Sequence, residues 1–213
     1  MSELLANQEA VELVVIRAES NIVKVCDKNG IGVIDRITQG GKKLYRYRVV
    51  KGADPLGYSA SPSAAKLMDG KYHDAKIWLK ASIDTPHPDC VVQIIELTDS
   101  PRSGDIMLFA RDSWDFDSSG WQSDRGGHGG ILRHEIIVPW IWTGPGIPHG
   151  QTVTAARTVN LMPTMLELLG RADRIKIKLD GISIAKRLKQ ASGVSRLSKS
   201  RREYKIQNAV HNN

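Results

Sequence analysis

The segment Gly126-Gly127-His128-Gly129-Gly130, with Pro139-Trp140-Ile141-Trp142-Thr143-Gly144-Pro145-Gly146-Ile147 after it, decides the fold expected for this chain. Glycines on both sides of one imidazole let the backbone adopt positive φ values and approach a ligand closely. An imidazole nitrogen in such a loop suits a divalent metal ion such as zinc. A lone histidine is also commonly an ordinary polar residue, so these residues alone leave both interpretations open.

A helical pattern follows this loop and completes an order of motifs. Residues 158–169 carry apolar side chains at helical spacing, and Gly170 ends the pattern. The stretch Asp-Gly-Ile-Ser-Ile then occupies residues 180–184. In this order the pieces resemble the C-terminal third of the alkaline-phosphatase superfamily, close to its type I phosphodiesterase and nucleotide pyrophosphatase branch. The resemblance covers residues 103–188 well and the earlier residues weakly.

The resemblance implies an α/β fold and a metal-dependent hydrolase. The fold would be the C-terminal part of an alkaline-phosphatase-like sandwich with a mostly parallel sheet, to which residues 104–110 and 138–142 would contribute strands. Such enzymes hold two divalent metal ions, zinc or manganese, beside a Thr or Ser nucleophile that attacks phosphorus in line. A late His-Gly ligand of one metal ion corresponds to His128. The implied substrate is a phosphate ester, and we expect a phosphodiester.

Most of the superfamily's catalytic motifs are absent from the sequence. The triplet Asp-His-Gly occurs nowhere, and no early Asp or Thr/Ser nucleophile motif is recognisable. Asp69 and His73 match an Asp-x-x-x-His spacing, but they follow a loop rich in Pro and Ser and favour an exposed turn. We therefore expect a C-terminal fragment with no catalytic residue of its own, inactive alone. The alternative function is a non-catalytic binding or pairing module derived from that fold.

Hairpin signals divide the chain into three parts. Four segments contain alternating or β-branched apolar residues typical of strands: 11–17, 22–26, 31–37 and 44–50. The hairpin turn Asp27-Lys28-Asn29-Gly30 lies between the second and the third. These features predict a four-stranded antiparallel meander, a subdomain or insertion, within residues 1–57. Residues 58–190 are expected to form the C-terminal part of the α/β domain. Residues 191–213 are expected to form a basic, flexible tail.

Three further residues are candidates for contact with the substrate. Trp114 and Trp121 follow the predicted strand 104–110, where loops of open α/β sheets place their ligands. Their rings could stack on a base or an aromatic leaving group, or could instead cover a small core within the loop. Arg133 follows the glycine loop and could attract a phosphate, although polar residues here also fix the shape of the loop.

Composition limits the partners that this chain can have. Among 213 residues with a formal charge of +7, no run of eighteen apolar residues exists, and residues 1–10 lack the pattern of a signal peptide. We therefore expect no membrane span, and the sequence does not indicate in which cellular compartment the protein lies. Cys26 and Cys90 form no metal or redox motif. Without interleaved aromatic residues the basic C-terminal segment disfavours nucleic acid, which leaves an upstream half or self-association as macromolecular partners.

Overall fold

The computed structural model describes residues 2–116, 128–174 and 176–190 of the chain. Two compact units are present, Met1–Pro139 and Trp140–Asn213. The first unit consists of a twisted sheet with helices, and the second of short helices and turns. No helix among the residues that the structure describes is both long and apolar enough to cross a membrane.

The sheet of the first unit has six strands, and every strand pairing in it is antiparallel. The order across the sheet is β5-β4-β3-β2-β1-β6. The strands are β1 (Val11–Glu19), β2 (Ile22–Cys26), β3 (Gly30–Gln39), β4 (Lys42–Gly52), β5 (His73–Asp74) and β6 (Ile106–Ala110). The expectation of an α/β sandwich with a mostly parallel sheet is therefore wrong for the described residues.

Turn chemistry explains the meander formed by β1 to β4. The side chain of Asp27 accepts hydrogen bonds from the backbone N–H groups of Asn29 and Gly30, at 2.9 and 2.7 Å, and so closes the β2–β3 turn. Gly40 and Gly41 have φ values of 57° and 74° and form the two-residue turn between β3 and β4. These turns depend only on neighbouring residues, and the meander lies where the sequence predicts it.

Of the two parallel strands predicted outside the meander, one is antiparallel and the other is not formed. Strand β6 pairs antiparallel with β1 at the edge of the sheet, with Leu108 opposite Val14. Met107 and Phe109 pack against the core, whereas Leu108 is 39% exposed. One face of β6 thus packs against the core, and the other is partly exposed. Its consecutive apolar residues belong to an antiparallel edge strand and not to the predicted parallel strand. Residues 138–142 form no strand at all, and their side chains include the 90% exposed Ile141.

Helices pack on both faces of the sheet. On one face lie α3 (Ala75–Ser82) and α4 (Cys90–Leu97), which enclose the main core with the short helix α2 (Pro62–Ala65). The opposite face carries α1 (Ser2–Ala6) over Val14 and Cys26. The largest fully buried side chains of the main core include Trp78, Tyr47, Tyr58, Leu13, Ile34 and Leu56. Burial of apolar surface on both faces stabilises the unit.

A charged cluster ties α4 to the sheet. Arg36 of β3 donates two hydrogen bonds to the carboxylate of Asp99, at 2.6 and 2.8 Å. Lys43 and the hydroxyl of Tyr45 donate to Glu96 at 2.9 and 2.6 Å. The hydrogen bond from Arg36, against the opposing effect of burial, lowers the pKa of Asp99. The charged form of this carboxylate is therefore favoured by the folded state.

Replacement of Asp99 by asparagine tests this cluster. We expect Asp99→Asn to lower the free energy of unfolding by about 1 kcal/mol near pH 7, since Asp99 is partly exposed. A lowered pKa stabilises the folded state above the ordinary value of about 3.9. The difference between wild type and variant should thus disappear as pH falls through the lowered pKa in urea titrations. Glu9→Gln, at an exposed loop position, is the control, and a pH-independent difference would contradict the prediction.

The second unit is built around α6 (Leu161–Leu168), where the sequence predicts a helix that Gly170 ends. The hydroxyl of Thr164 accepts a hydrogen bond from the backbone N–H of Ile184 at 3.0 Å. The amide of Asn160 donates to the carbonyl of Ile182 at 2.6 Å. These bonds fix residues 180–184 beside α6, and the helix α7 (Ala185–Gln190) follows them.

Candidate functional site

The described part of the glycine loop presents His128 to solvent. His128 is exposed. The next residue, Gly129, has a φ of 102°, a backbone conformation that residues with a Cβ rarely adopt. Three residues after His128, Ile131 is buried in the main core. Gly126 and Gly127 lie outside the described residues. The imidazole therefore stands on a short exposed segment whose C-terminal end is anchored in the core.

Hydrogen bonds from Arg133 hold this loop against the segment before α4. The backbone N–H of Arg133 donates to the carbonyl of Pro86 at 2.8 Å, and its guanidinium donates to the carbonyl of Ile83. A second guanidinium nitrogen lies 3.4 Å from a carboxylate oxygen of Asp84. Arg133 opens the helix α5 (Arg133–Ile136). Its side chain therefore anchors the loop in this structure, while remaining 46% exposed.

The other predicted site residues are only partly placed near one another. Trp114 is 47% exposed in the segment after β6, and Trp121 lies outside the described residues. The Nε2 atom of His134 lies 3.3 Å from a carboxylate oxygen of Asp112, so α5 and the segment after β6 are in contact. The segments that contain Trp114 and Arg133 therefore lie near each other within the first unit.

A metal centre requires several ligands around one point, and this requirement can be tested directly. Among residues 2–116, 128–174 and 176–190, no group of three or more His, Cys, Asp or Glu side chains is arranged to hold a metal ion. Two-metal hydrolases surround both ions with several such side chains. The described residues therefore do not fit a two-metal centre, and His128 can contribute one ligand at most.

The spacing match between Asp69 and His73 does place these side chains in contact. The Nε2 atom of His73 lies 2.8 Å from a carboxylate oxygen of Asp69, and this hydrogen bond lowers the pKa of Asp69. The ring of His73 also meets the edge of Trp78, with centroids 6.1 Å apart. These contacts connect the segment before β5 to the core. Asp69 itself is exposed, as the sequence predicts for a turn.

A partly buried polar cluster lies at a place for which the sequence predicts no site. The carboxylate oxygens of Glu12 lie 3.5 Å from Nε2 of His87 and 3.6 Å from Nε of Arg111. The contact with His87, against the opposing effect of burial, lowers the pKa of Glu12. The available signals were an acidic residue inside the apolar strand β1 and a histidine between two prolines. Neither signal identifies its partner, because the three residues are distant in sequence.

A second polar cluster occupies the opposite face of the sheet. Arg46 donates to both carboxylate oxygens of Asp35, at 2.7 and 3.2 Å, and its guanidinium lies 4.4 Å from the ring centroid of Tyr72. The hydroxyl of Tyr72 donates to the same carboxylate at 2.5 Å. An open cleft of about 640 Å³ lies beside them. These hydrogen bonds join β3 and β4 to Tyr72, the residue before β5.

No protein-family model, curated protein or solved structure matches this chain.

Proposed function

We propose that this chain is one part of a metal-dependent phosphoesterase of the phosphodiesterase type and that other polypeptide sequence carries the nucleophile. The observation that carries the proposal is the exposed imidazole of His128 on a loop with positive φ at Gly129. The loop leads into Ile131, which is buried in the main core, and into Arg133, whose backbone N–H donates to the carbonyl of Pro86. The order of motifs over residues 103–188, which resembles the alkaline-phosphatase superfamily, supports the same function.

In this proposal the chain positions groups but breaks no bond by itself. His128 would supply one nitrogen ligand to a zinc or manganese ion, since neutral imidazole binds both. Trp114 and Arg133 would face the phosphate ester beside it, and the predicted contact from Trp121 lies outside the described residues. Arg133 already spends part of its hydrogen-bonding capacity on Ile83 and Asp84, so its contribution to phosphate binding would come from its exposed guanidinium edge.

The second candidate function is a non-catalytic pairing module. It is favoured by the apolar surface of the second unit, where Met165 and Leu169 of the α6 region are 45% and 69% exposed. Exposed apolar patches commonly mark sites of protein association. The absence of a metal-binding group among the described residues is compatible with either function. The two candidates differ in whether His128 binds metal.

Hydrolysis and metal binding by the isolated chain test the proposal. We expect the chain, with added Zn²⁺ or Mn²⁺, to hydrolyse bis(4-nitrophenyl) phosphate, 4-nitrophenyl phosphate and 4-nitrophenyl sulfate no faster than His128→Ala does, because one ligand cannot assemble the site. In an NMR titration, Zn²⁺ should perturb the His128 ring before that of His149, which is also exposed. Metal-dependent turnover that His128→Ala abolishes would show that the chain is a complete enzyme and overturn the proposal.

Complementation separates the two candidate functions. The chain would be co-expressed with any polypeptide encoded beside it that contains a Thr or Ser nucleophile and an Asp-His-Gly motif. Phosphodiesterase activity that falls by more than about 100-fold in His128→Ala, and less in His149→Ala, supports the hydrolase, since the loss of a ligand exceeds the 10–100-fold cost of altering the groups around it. A stable complex that remains inactive supports the pairing module.

A further inference from the structure

A buried histidine in the segment before α4 lies between two hydrogen-bond acceptors. The side chain of His87 is only 6% exposed. Its Nδ1 atom lies 3.2 Å from the backbone carbonyl oxygen of Leu56, and its Nε2 atom lies 3.5 Å from a carboxylate oxygen of Glu12. A carbonyl oxygen can only accept a hydrogen bond, so Nδ1 must carry a hydrogen.

The protonation state of His87 therefore decides whether its second nitrogen has a partner. In the neutral ring, Nε2 presents a lone pair to the carboxylate of Glu12, and two acceptors then face each other at 3.5 Å. In the imidazolium, both nitrogens donate, one to Leu56 and one to Glu12. The Nε2 atom is buried and has no hydrogen-bond partner at its present distance, and a movement of a few tenths of an ångström would give it one.

Several charged groups lie around His87 and Glu12. Glu12 of β1 faces the ring, and Arg111, which follows β6, faces the other oxygen of Glu12 at 3.6 Å. At the start of α4, the carboxylate of Asp89 accepts a hydrogen bond from Gln93 at 2.9 Å. Lys28, on the β2–β3 turn, adds a positive charge that acts on Glu12.

Two further groups beside His87 do not titrate near neutral pH. The hydroxyl of Tyr58 donates to the carbonyl of His87 at 2.7 Å, and the backbone N–H of Cys90 donates to that hydroxyl at 3.1 Å. Burial raises the pKa of both the Tyr58 phenol and the Cys90 thiol well above their ordinary values. Near neutral pH the phenol of Tyr58 and the thiol of Cys90 therefore both keep their protons.

The segment that contains His87 also holds residues 131–133, which follow the glycine loop. Pro86, its neighbour, accepts the backbone hydrogen bond of Arg133, and Ile83 accepts that of the Arg133 guanidinium. The thiol of Cys90 faces the carbonyl oxygen of Ile131 at 3.8 Å. Whatever fixes residues 83–90 against β1 therefore also fixes residues 131–133.

We infer that His87 and Glu12 form a proton-dependent latch between β1 and the segment that supports the glycine loop. With the imidazolium present, the ion pair holds residues 83–90 in place. When the proton leaves, two facing acceptors loosen the segment and, with it, residues 131–133. The latch stands independently of the proposed function, whereas its consequence for metal binding at His128 rests on that function.

Amide hydrogen exchange tests the latch without any activity measurement. The protection factor of the Arg133 amide, which donates to Pro86, should fall by about tenfold between pH 5.5 and 8.5, a range that brackets the ordinary titration of histidine. In Glu12→Gln and His87→Gln the protection factor should not change with pH. In the control His134→Gln, whose imidazole pairs with Asp112 at the surface, the pH dependence should persist.

Each outcome of this experiment has a defined meaning. A pH dependence that persists in Glu12→Gln would overturn the latch, and this variant decides the matter if His87→Gln does not fold. A constant protection factor in the wild type would also overturn it. The measurements are repeated with EDTA, since a response that EDTA abolishes would belong to a bound cation rather than to a proton. None of these readouts depends on hydrolysis, so the latch and the proposed function can fail separately.

Discussion

Replacement of Trp78 by alanine is expected to lower the free energy of unfolding by about 3–5 kcal/mol, the range for large buried aromatic residues. Trp78 of α3 is fully buried, and its indole N–H donates to the carbonyl of Tyr45 in β4 at 3.0 Å. Its ring stacks on that of Tyr58, with centroids 5.9 Å apart. The substitution leaves a cavity between helix and sheet and also leaves the Tyr45 carbonyl without this donor.

Two other substitutions define the controls for this measurement. Trp114→Ala removes the same side chain from a site that is 47% exposed, and we expect a loss below about 1 kcal/mol. Trp78→Phe retains most of the ring but not the N–H, so it should lie between the two. Urea denaturation followed by circular dichroism gives all three values. Equal losses for Trp78→Ala and Trp114→Ala would show that the helix layer does not stabilise the sheet as described.

The meander could be predicted because its determinants are local. The Asp27-Asn29-Gly30 turn and the Gly40-Gly41 turn each join adjacent strands, so the residues that set the register lie within or beside the turn. The position of β6 could not be predicted in this way. Its partner β1 lies far away in sequence, and five consecutive apolar residues suit a buried parallel strand and a half-exposed edge strand equally well.

In the candidate site, too, local features could be predicted from the sequence, whereas contacts between distant residues could not. The glycines around His128 predict positive φ values, and Gly129 has one, while the side chain of His128 is exposed. The buried group of His87, Glu12 and Arg111 depends on contacts between β1, the segment before α4 and the end of β6. A single sequence contains no record of such contacts, so the acid in β1 and the histidine between prolines remained separate observations until the fold joined them.

Replacement of Gly30 by alanine is expected to lower the free energy of unfolding by about 3 kcal/mol or more, at the upper end of the cost of overpacking. A Cβ at Gly30 would lie 1.9 Å from the carbonyl oxygen of Ala53 and 2.7 Å from its nitrogen. These are backbone atoms, so no side-chain rotation relieves the clash. The strands β3 and β4 must separate where Gly30 pairs with Gly52, and the bond from Gly30 to Asp27 is then strained.

Gly40→Ala is the matched control, because it changes the same residue type in the turn at the other end of β3. A Cβ there meets nothing within 4 Å, but the φ of 57° is unfavourable for alanine. We expect a loss of about 1–2 kcal/mol, the cost of a left-handed conformation. Urea denaturation of both variants measures the difference. If Gly30→Ala is no more destabilising than Gly40→Ala, the close approach of β3 to Ala53 is not a constraint of the folded chain, and the β2–β3 turn must tolerate a displaced neighbour.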